Sequence, residues 1–170
     1  MKIILLPGSS LGNKEAVEEV AVGLKNKFED VLAWQWPHWK TGVDIDFNAD
    51  SEAKKIINII DETVYVVEKS VGTFVTMKIL QSKSNLVSKL ILNGIPMKGL
   101  SDEDKLLYRT QLVSFDASKL IVFQNQNDHW GKYDEVKDFM NKINPDIKVV
   151  SKPRDDHSYP YVEDYIKFLL

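Results

Sequence analysis

The stretch VYVVEKSVGTFVTMKIL, residues 64–80, decides the fold. It opens on an apolar run, passes through Glu68-Lys69-Ser70-Val71-Gly72, and continues with apolar residues at helical spacing. A short apolar run reads as a buried strand, and recurrence near 3.6 residues reads as a helix. A strand that runs straight into a helix leaves one tight turn, and a side chain at its apex points outward, free to react. Ser70 stands at that apex. Serine in such a turn is the usual way to present a nucleophilic hydroxyl.

The same alternation extends in both directions. Lys2–Leu6 predicts a first strand, and Val17, Val20, Ala21, Leu24 and Phe28 mark the helix after it. Val31–Trp36 predicts a second strand, stopped by Pro37. Ala53, Ile56, Ile57 and Ile60 share one helical face, with Asp50 as the expected N-cap. Thr63–Val67 is the strand before Ser70, and the helix after Ser70 reaches about Leu80. Leu90–Leu92 is a fourth strand, ended by Asn93-Gly94. An excursion from Ile95 to Lys119 then holds one helix beginning at Ser101, with Asp104 three residues on as a capping partner. Leu120–Phe123 and Ile147–Val150 are the fifth and sixth strands. Val136, Phe139, Met140 and Ile143 mark the helix between them. Pro160 opens a closing helix with Val162, Tyr165, Ile166 and Leu169 apolar.

Repeated strand–helix alternation predicts an α/β fold, a three-layer αβα sandwich around a mostly parallel sheet of about six strands. The strands are near-continuous apolar runs, as suits strands covered on both faces. No internal repeat and no linker rich in Gly, Pro or Ser divides the 170 residues, so residues 1–170 are read as a single domain. The net charge of -3, without a long basic run, argues against a nucleic-acid surface. The chain has no cysteine, which removes disulfides, thiolate metal sites and cysteine nucleophiles together. Met1–Gly8 is too short an apolar stretch for a signal peptide core, and nothing approaches the roughly 20 apolar residues of a membrane span. A cytoplasmic protein without a membrane partner is the expectation. Its oligomeric state is not written in the sequence.

In a parallel sheet the loops after the strand C-termini share one edge, and ligands bind there. Three reactive residues fall in such loops: Ser70 after the third strand, Asp128 after the fifth and His157 after the sixth. A serine hydroxyl needs an imidazole to take its proton, and the imidazole needs a carboxylate to hold its tautomer. Ser, Asp, His is one of the known chain orders for this trio. His129 adjoins Asp128 but points away from it if Asp128 points inward, so His157 is the expected base. Asp155 and Asp156 read as solvated loop carboxylates. Trp34, Trp36 and Trp39, with His38 among them, read first as cover for the core at a sheet edge and second as the wall of an acyl pocket. Trp130, beside Asp128, is open to the same two readings. Gly8-Ser9-Ser10-Leu11-Gly12-Asn13-Lys14 fails the spacing of a phosphate loop and lacks GxGxxG. No pair of histidines has metal-ligand spacing, so neither a metal nor a cofactor is expected.

These patterns together resemble the α/β-hydrolase family, across essentially the whole chain. Leu6-Pro7-Gly8-Ser9-Ser10 is similar to the family's oxyanion loop, and Glu68-Lys69-Ser70-Val71-Gly72 to its nucleophile elbow. Asp128, and His157 before a closing amphipathic helix, are similar to its acid and base. The resemblance implies a compact serine hydrolase whose cap is reduced to residues 95–119. Backbone N–H groups of Val71 and of Ser9, or Ser10, would hold the oxyanion. The implied activity is serine esterase chemistry on a small ester or related acyl compound, through a Ser70–His157–Asp128 catalytic triad and an acyl-enzyme, with no cofactor. The competing reading is a hydrolase-fold protein that binds without catalysing. Two positions depart from the family pattern. Glu68 stands two before the nucleophile, where a small residue is usual; it either crowds the strand–helix approach or turns into the site and adds negative charge that favours the imidazolium. Asn125 stands three before Asp128, where glycine is common, and Asn tolerates left-handed backbone.

Overall fold

The computed structural model describes residues 1–40 and 47–170. Six strands and six α-helices alternate along these residues: β1 Lys2–Leu6, α1 Asn13–Lys25, β2 Val31–Ala33, α2 Ala49–Ile59, β3 Val64–Lys69, α3 Val71–Lys83, β4 Val87–Asn93, α4 Asp102–Leu112, β5 Leu120–Asn125, α5 Tyr133–Ile143, β6 Lys148–Lys152 and α6 Val162–Leu169. The sheet order is β2-β1-β3-β4-β5-β6, and every pairing is parallel. The chain steps from β1 outward to β2, then returns to place β3 on the other side of β1. The direction of winding therefore reverses between β1 and β3, and α/β sheets open a crevice at such a point. The loops that leave β1 and β3 carry Ser9 and Ser70.

The central strands are buried throughout their apolar runs, with Ile3, Val64, Val66, Leu90, Ile91, Leu92 and Val122 wholly removed from solvent. Helices α1 and α6 cover one face; they meet where Gly23 has no room for a side chain beside Val162. Helices α2 to α5 cover the other face, and Tyr108 of α4 stacks edge-on against Phe139 of α5. Val136, Phe139, Met140 and Ile143 are the buried face of α5, as their spacing predicts. Ser101 caps α4 in a reciprocal capping box with Asp104. Helix α4 packs through buried Tyr108 and Leu112, while the start of the 95–119 excursion, at Pro96, Gly99 and Leu100, borders the cleft described below.

Several boundaries differ from the sequence reading: β4 is longer at both ends, β5 runs on to Asn125, β6 is Lys148–Lys152, and three further differences bear on the site. β2 ends at Ala33 and not at Trp36. β1, its partner, turns away at Pro7, so residues beyond Trp34 have no ladder to join, and a short 3₁₀ turn, Pro37–Lys40, follows. The cap of α2 is Asn48, whose Oδ1 accepts from Ser51 N at 2.9 Å, not Asp50. Asp50 lies inside the helix and pairs with Lys78 at 2.7 Å. β3 runs on to Lys69, so the turn at Ser70 is tighter than the apolar run implies.

Candidate active site

Ser70 connects β3 to α3 with no residue to spare. Its backbone sits at φ 57°, ψ -123°, and it is the one non-glycine residue with positive φ among the described residues. Such a conformation costs about 1–3 kcal/mol and persists only where the surroundings enforce it. Ser70 N donates to Asn93 O at 2.9 Å. Its carbonyl accepts from Thr73 N at 2.9 Å and from Thr73 Oγ1 at 2.6 Å. With the Thr73 proton so used, the Tyr108 hydroxyl donates to Thr73 Oγ1. At Gly72 any side chain would run into the carbonyl of Leu6, so glycine is needed for α3 to start this close to β1. These contacts hold the turn while leaving the Ser70 side chain on the cleft lining.

Asp128 is fully buried, and three donors converge on it. His157 Nδ1 lies 2.6 Å from Oδ2, the Tyr159 hydroxyl donates to the same oxygen at 2.6 Å, and Trp130 N donates to Oδ1 at 2.9 Å. Burial pushes this carboxyl's pKa up, and the hydrogen bonds from His157, Tyr159 and Trp130 outweigh it, holding the group below the ordinary aspartate range. A carboxylate oxygen only accepts, so His157 donates to it from Nδ1, which leaves Nε2 as the acceptor of the neutral ring. Nε2 is buried and has no hydrogen-bond partner among the described residues. Ser70 and His157 are therefore not hydrogen-bonded to each other, although both line one cleft of about 1180 Å³. Catalytic hydrogen bonds are often long in free enzymes and tighten on binding. The ring of His157 fits because Gly94, at φ 61°, has no side chain; one there would meet the rings of Tyr159 and His157.

The loop after β1 is pinned by the aromatic cluster. Trp36 Nε1 donates to Pro7 O at 3.2 Å and Gly8 O at 3.0 Å, and Trp39 Nε1 donates to Ser9 O at 2.6 Å. His38 Nε2 donates to Ser9 O at 2.7 Å. Among the described residues no hydrogen bond is made by the N–H of Ser9, Ser10 or Val71, and all three residues border the cleft. Trp36 and Trp39 are buried, as the core-covering reading expects, yet their ring N–H groups act on the loop. Trp34 does not share in this: its Nε1 donates to Glu52 at 3.2 Å.

Glu68 and Asn125 act differently from the expectations set by their positions. Glu68 is 1 % exposed and its carboxyl lies beneath α3, where it accepts from the Thr76 hydroxyl and leaves Oε1 without a partner among the described residues. Burial raises its pKa well above the ordinary glutamate range, so the neutral acid is favoured and no full charge is brought toward His157. Asn125 does not use left-handed backbone. Its side-chain amide instead donates to the carbonyls of Asp156 and Ser158 at 2.8 and 2.9 Å, fastening the loop that carries His157. Asp155 and Asp156 are exposed; Asp156 pairs with Arg154, and Asp155 accepts from Asn127 at 2.7 Å. Among the described residues the His129 ring makes no hydrogen bond to Asp128, and it lies beside His157, with ring centres 6.0 Å apart.

Tyr159 and Lys69 have parts in the site that sequence reasoning missed. Tyr159 sits two residues after His157, a strand-like spacing that would have put both side chains on one face. Lys69 lies in the elbow itself. Its Nζ donates to Asn13 Oδ1 at 2.5 Å, and burial lowers its pKa to about 8, against the opposing pull of Asp128 and Asp156. Among the described residues no cluster of His, Cys, Asp or Glu could hold a metal ion, and no helix is long and apolar enough to cross a membrane.

No family model matches the sequence, and no curated protein matches it. Solved structures do match. Alpha/beta hydrolase domain-containing protein 10 from mouse is similar over 99 % of this chain and 90 % of its own, with a TM-score of 0.72 at 14 % identity. Est1E from Butyrivibrio proteoclasticus, solved with ferulic acid bound, is similar over 98 % and 87 %, with a TM-score of 0.70 at 16 % identity. The ydeN gene product of B. subtilis is similar over 99 % and 98 %, with a TM-score of 0.66 at 16 % identity. With its all-parallel sheet, strand-to-helix elbow and reversal between β1 and β3, this chain has the α/β-hydrolase fold.

Proposed function

We propose that this protein is a serine hydrolase acting on a small ester or related acyl compound. The observation that carries the reading is the ordered pair Asp128–His157, with Nε2 unengaged on the same cleft as a strained, outward-facing Ser70. Ser70 Oγ attacks the substrate carbonyl as its proton passes to His157 Nε2. The carbonyl electron pair moves onto oxygen, and the N–H groups of Val71 and of Ser9, or Ser10, receive it. Collapse breaks the bond to the leaving group, which takes the proton from Nε2. Water then attacks the acyl-Ser70 bond, gives its proton to Nε2, and releases the acid while Ser70 recovers its proton. Asp128 holds the Nδ1 tautomer and stabilises the imidazolium in both halves. Each preorganised oxyanion donor of this kind contributes roughly 2.7–4 kcal/mol to the transition state. A type II thioesterase and a pyrethroid hydrolase are among the solved structures of similar fold, which supports acyl transfer to water.

The test is turnover of short-chain 4-nitrophenyl esters by the intact chain. Ser70→Ala is expected to lower kcat by about 10⁴-fold or more while the protein stays folded. Unchanged turnover in that variant would refute the reading. The small partner is the acyl substrate; neither a cofactor nor a nucleic acid enters the scheme, and a cytoplasmic location is proposed with it.

A further inference from the structure

Lys69 lines the cleft beside Ser70. It is the last residue of β3 and the neighbour of Ser70, yet it faces the opposite side of the strand from Glu68, toward α1. The cleft lining contains two basic side chains, Lys69 and Arg154. Arg154 is already neutralised by Asp156. Lys69 has no carboxylate within ion-pair distance among the described residues; its one hydrogen bond goes to the neutral amide of Asn13. The two acids whose fields reach it, Asp128 and Asp156, are committed to His157 with Tyr159 and to Arg154 with Ser158 N.

An ammonium carries three protons, and only one of these is used. A half-buried ammonium on a cleft wall, with two protons that no protein group takes and no carboxylate beside it, is suited to an anionic partner. Its neighbours are arranged to help. Asn13 Oδ1 faces the ammonium, which turns Nδ2 to donate to Ser10 Oγ at 2.6 Å. Ser10 Oγ, accepting that bond, has its own proton left to give, and Ser10 also borders the cleft. Val17, Val20 and Phe47 supply apolar wall beside these polar groups.

We propose that Lys69, with the Ser10 hydroxyl, binds a carboxylate on the substrate, so that the preferred substrates are esters or related acyl compounds carrying a second, anionic group. The proposal rests on the hydrolase reading for the word substrate, but the anion site itself is testable without turnover. Monomethyl adipate and dimethyl adipate share a chain and differ in one charge. Titrated by NMR into the Ser70→Ala protein, monomethyl adipate is expected to bind at least tenfold more tightly than the diester, with affinity falling as salt is added. Ser70→Ala/Lys69→Gln is expected to lose that tenfold preference, and Ser70→Ala/Lys69→Arg to keep part of it. Equal binding of the two probes, no saturable binding of the monoester, or a preference untouched by Lys69→Gln would each overturn the proposal.

The kinetic arm uses mono-4-nitrophenyl adipate and its methyl-capped counterpart. The ratio of their kcat/KM values is expected to exceed 10 in the native protein and to fall toward 1 in Lys69→Gln, mainly through KM. A ratio near 1 in the native protein contradicts the proposal. If neither ester turns over while the binding preference holds, the hydrolase reading fails and the anion site stands.

Discussion

At the scale of the residue, Ser70 is defined more by its backbone than by its hydroxyl. Its φ of 57° belongs to the region that favours glycine. Ser70→Gly is therefore expected to stabilise the fold by about 1 kcal/mol, strain relief exceeding the added entropy of the unfolded chain. Urea denaturation measures this; a less stable Ser70→Gly would mean the turn is not strained. Tyr159 is the second residue whose removal is informative. Tyr159→Phe deletes one donor to Asp128 Oδ2 and the acceptor for Asn125 N, at 2.6 and 3.1 Å. Leaving buried polar atoms unpaired costs about 1–3 kcal/mol. Stability is expected to fall by that amount in urea denaturation, and ester turnover by roughly tenfold; unchanged turnover would contradict Asp128 as the orienting acid. The sequence offers Tyr159 as one more aromatic in the last loop. Its partner lies 31 positions away, and no local pattern announces a contact that only the β5–β6 pairing brings about.

At the scale of the element, two interfaces set the geometry of the turn and of the oxyanion loop. The 34–39 segment ties Pro7, Gly8 and Ser9 carbonyls with aromatic N–H groups. Trp39→Phe keeps the ring in the core and removes the 2.6 Å bond to Ser9 O. One such bond contributes about 1 kcal/mol, so kcat is expected to fall several-fold with KM little changed; an unaltered kcat would show that the loop does not need this tether. The tryptophans were legible as core cover because they are apolar and close to a strand. Their hydrogen bonds were not, because the carbonyls they reach belong to a loop nearly thirty residues away. The second interface is β3 against α3, where Glu68 lies buried beside Thr76. Its pKa is raised in the folded state, so its contribution to stability is full below the ordinary glutamate value near 4.3 and is lost as pH rises toward the folded value. Native stability is expected to decline as pH rises from about 4.3, by up to about 1.4 kcal/mol per unit within that window. Glu68→Gln removes the titration and should flatten the slope. Denaturation midpoints at pH 5 and pH 8 decide it, and a native protein equally stable at both would contradict the buried neutral acid.

At the scale of the whole molecule, strand order explains why distant residues meet. The six strands and the helices between them follow from apolar runs and helical spacing, and only their ends are displaced, as at Ala33 and Asn48. Those ends depend on which partner strand continues, which is a tertiary fact. The parallel edge also puts Ser70, Asp128 and His157 in loops of one side, so that the Asp128–His157 pair and its sharing of a cleft with Ser70 were within reach of the sequence once β3, β5 and β6 were read. The reversal between β1 and β3 is not visible in a single strand, yet it is what sets the 7–10 loop beside the elbow. Neither was it legible that Glu68 would point beneath α3 and Lys69 toward α1, since this depends on where a strand one residue longer than its apolar run comes to an end.

The central claim is that Ser70 is a nucleophile activated by His157, and covalent capture tests it most directly. The folded protein is treated with a fluorophosphonate probe and analysed by intact-mass and peptide mass spectrometry. One adduct per chain is expected, on Ser70, and it should disappear in His157→Ala as well as in Ser70→Ala. No adduct on the folded native protein, or an adduct at another residue, would contradict the account.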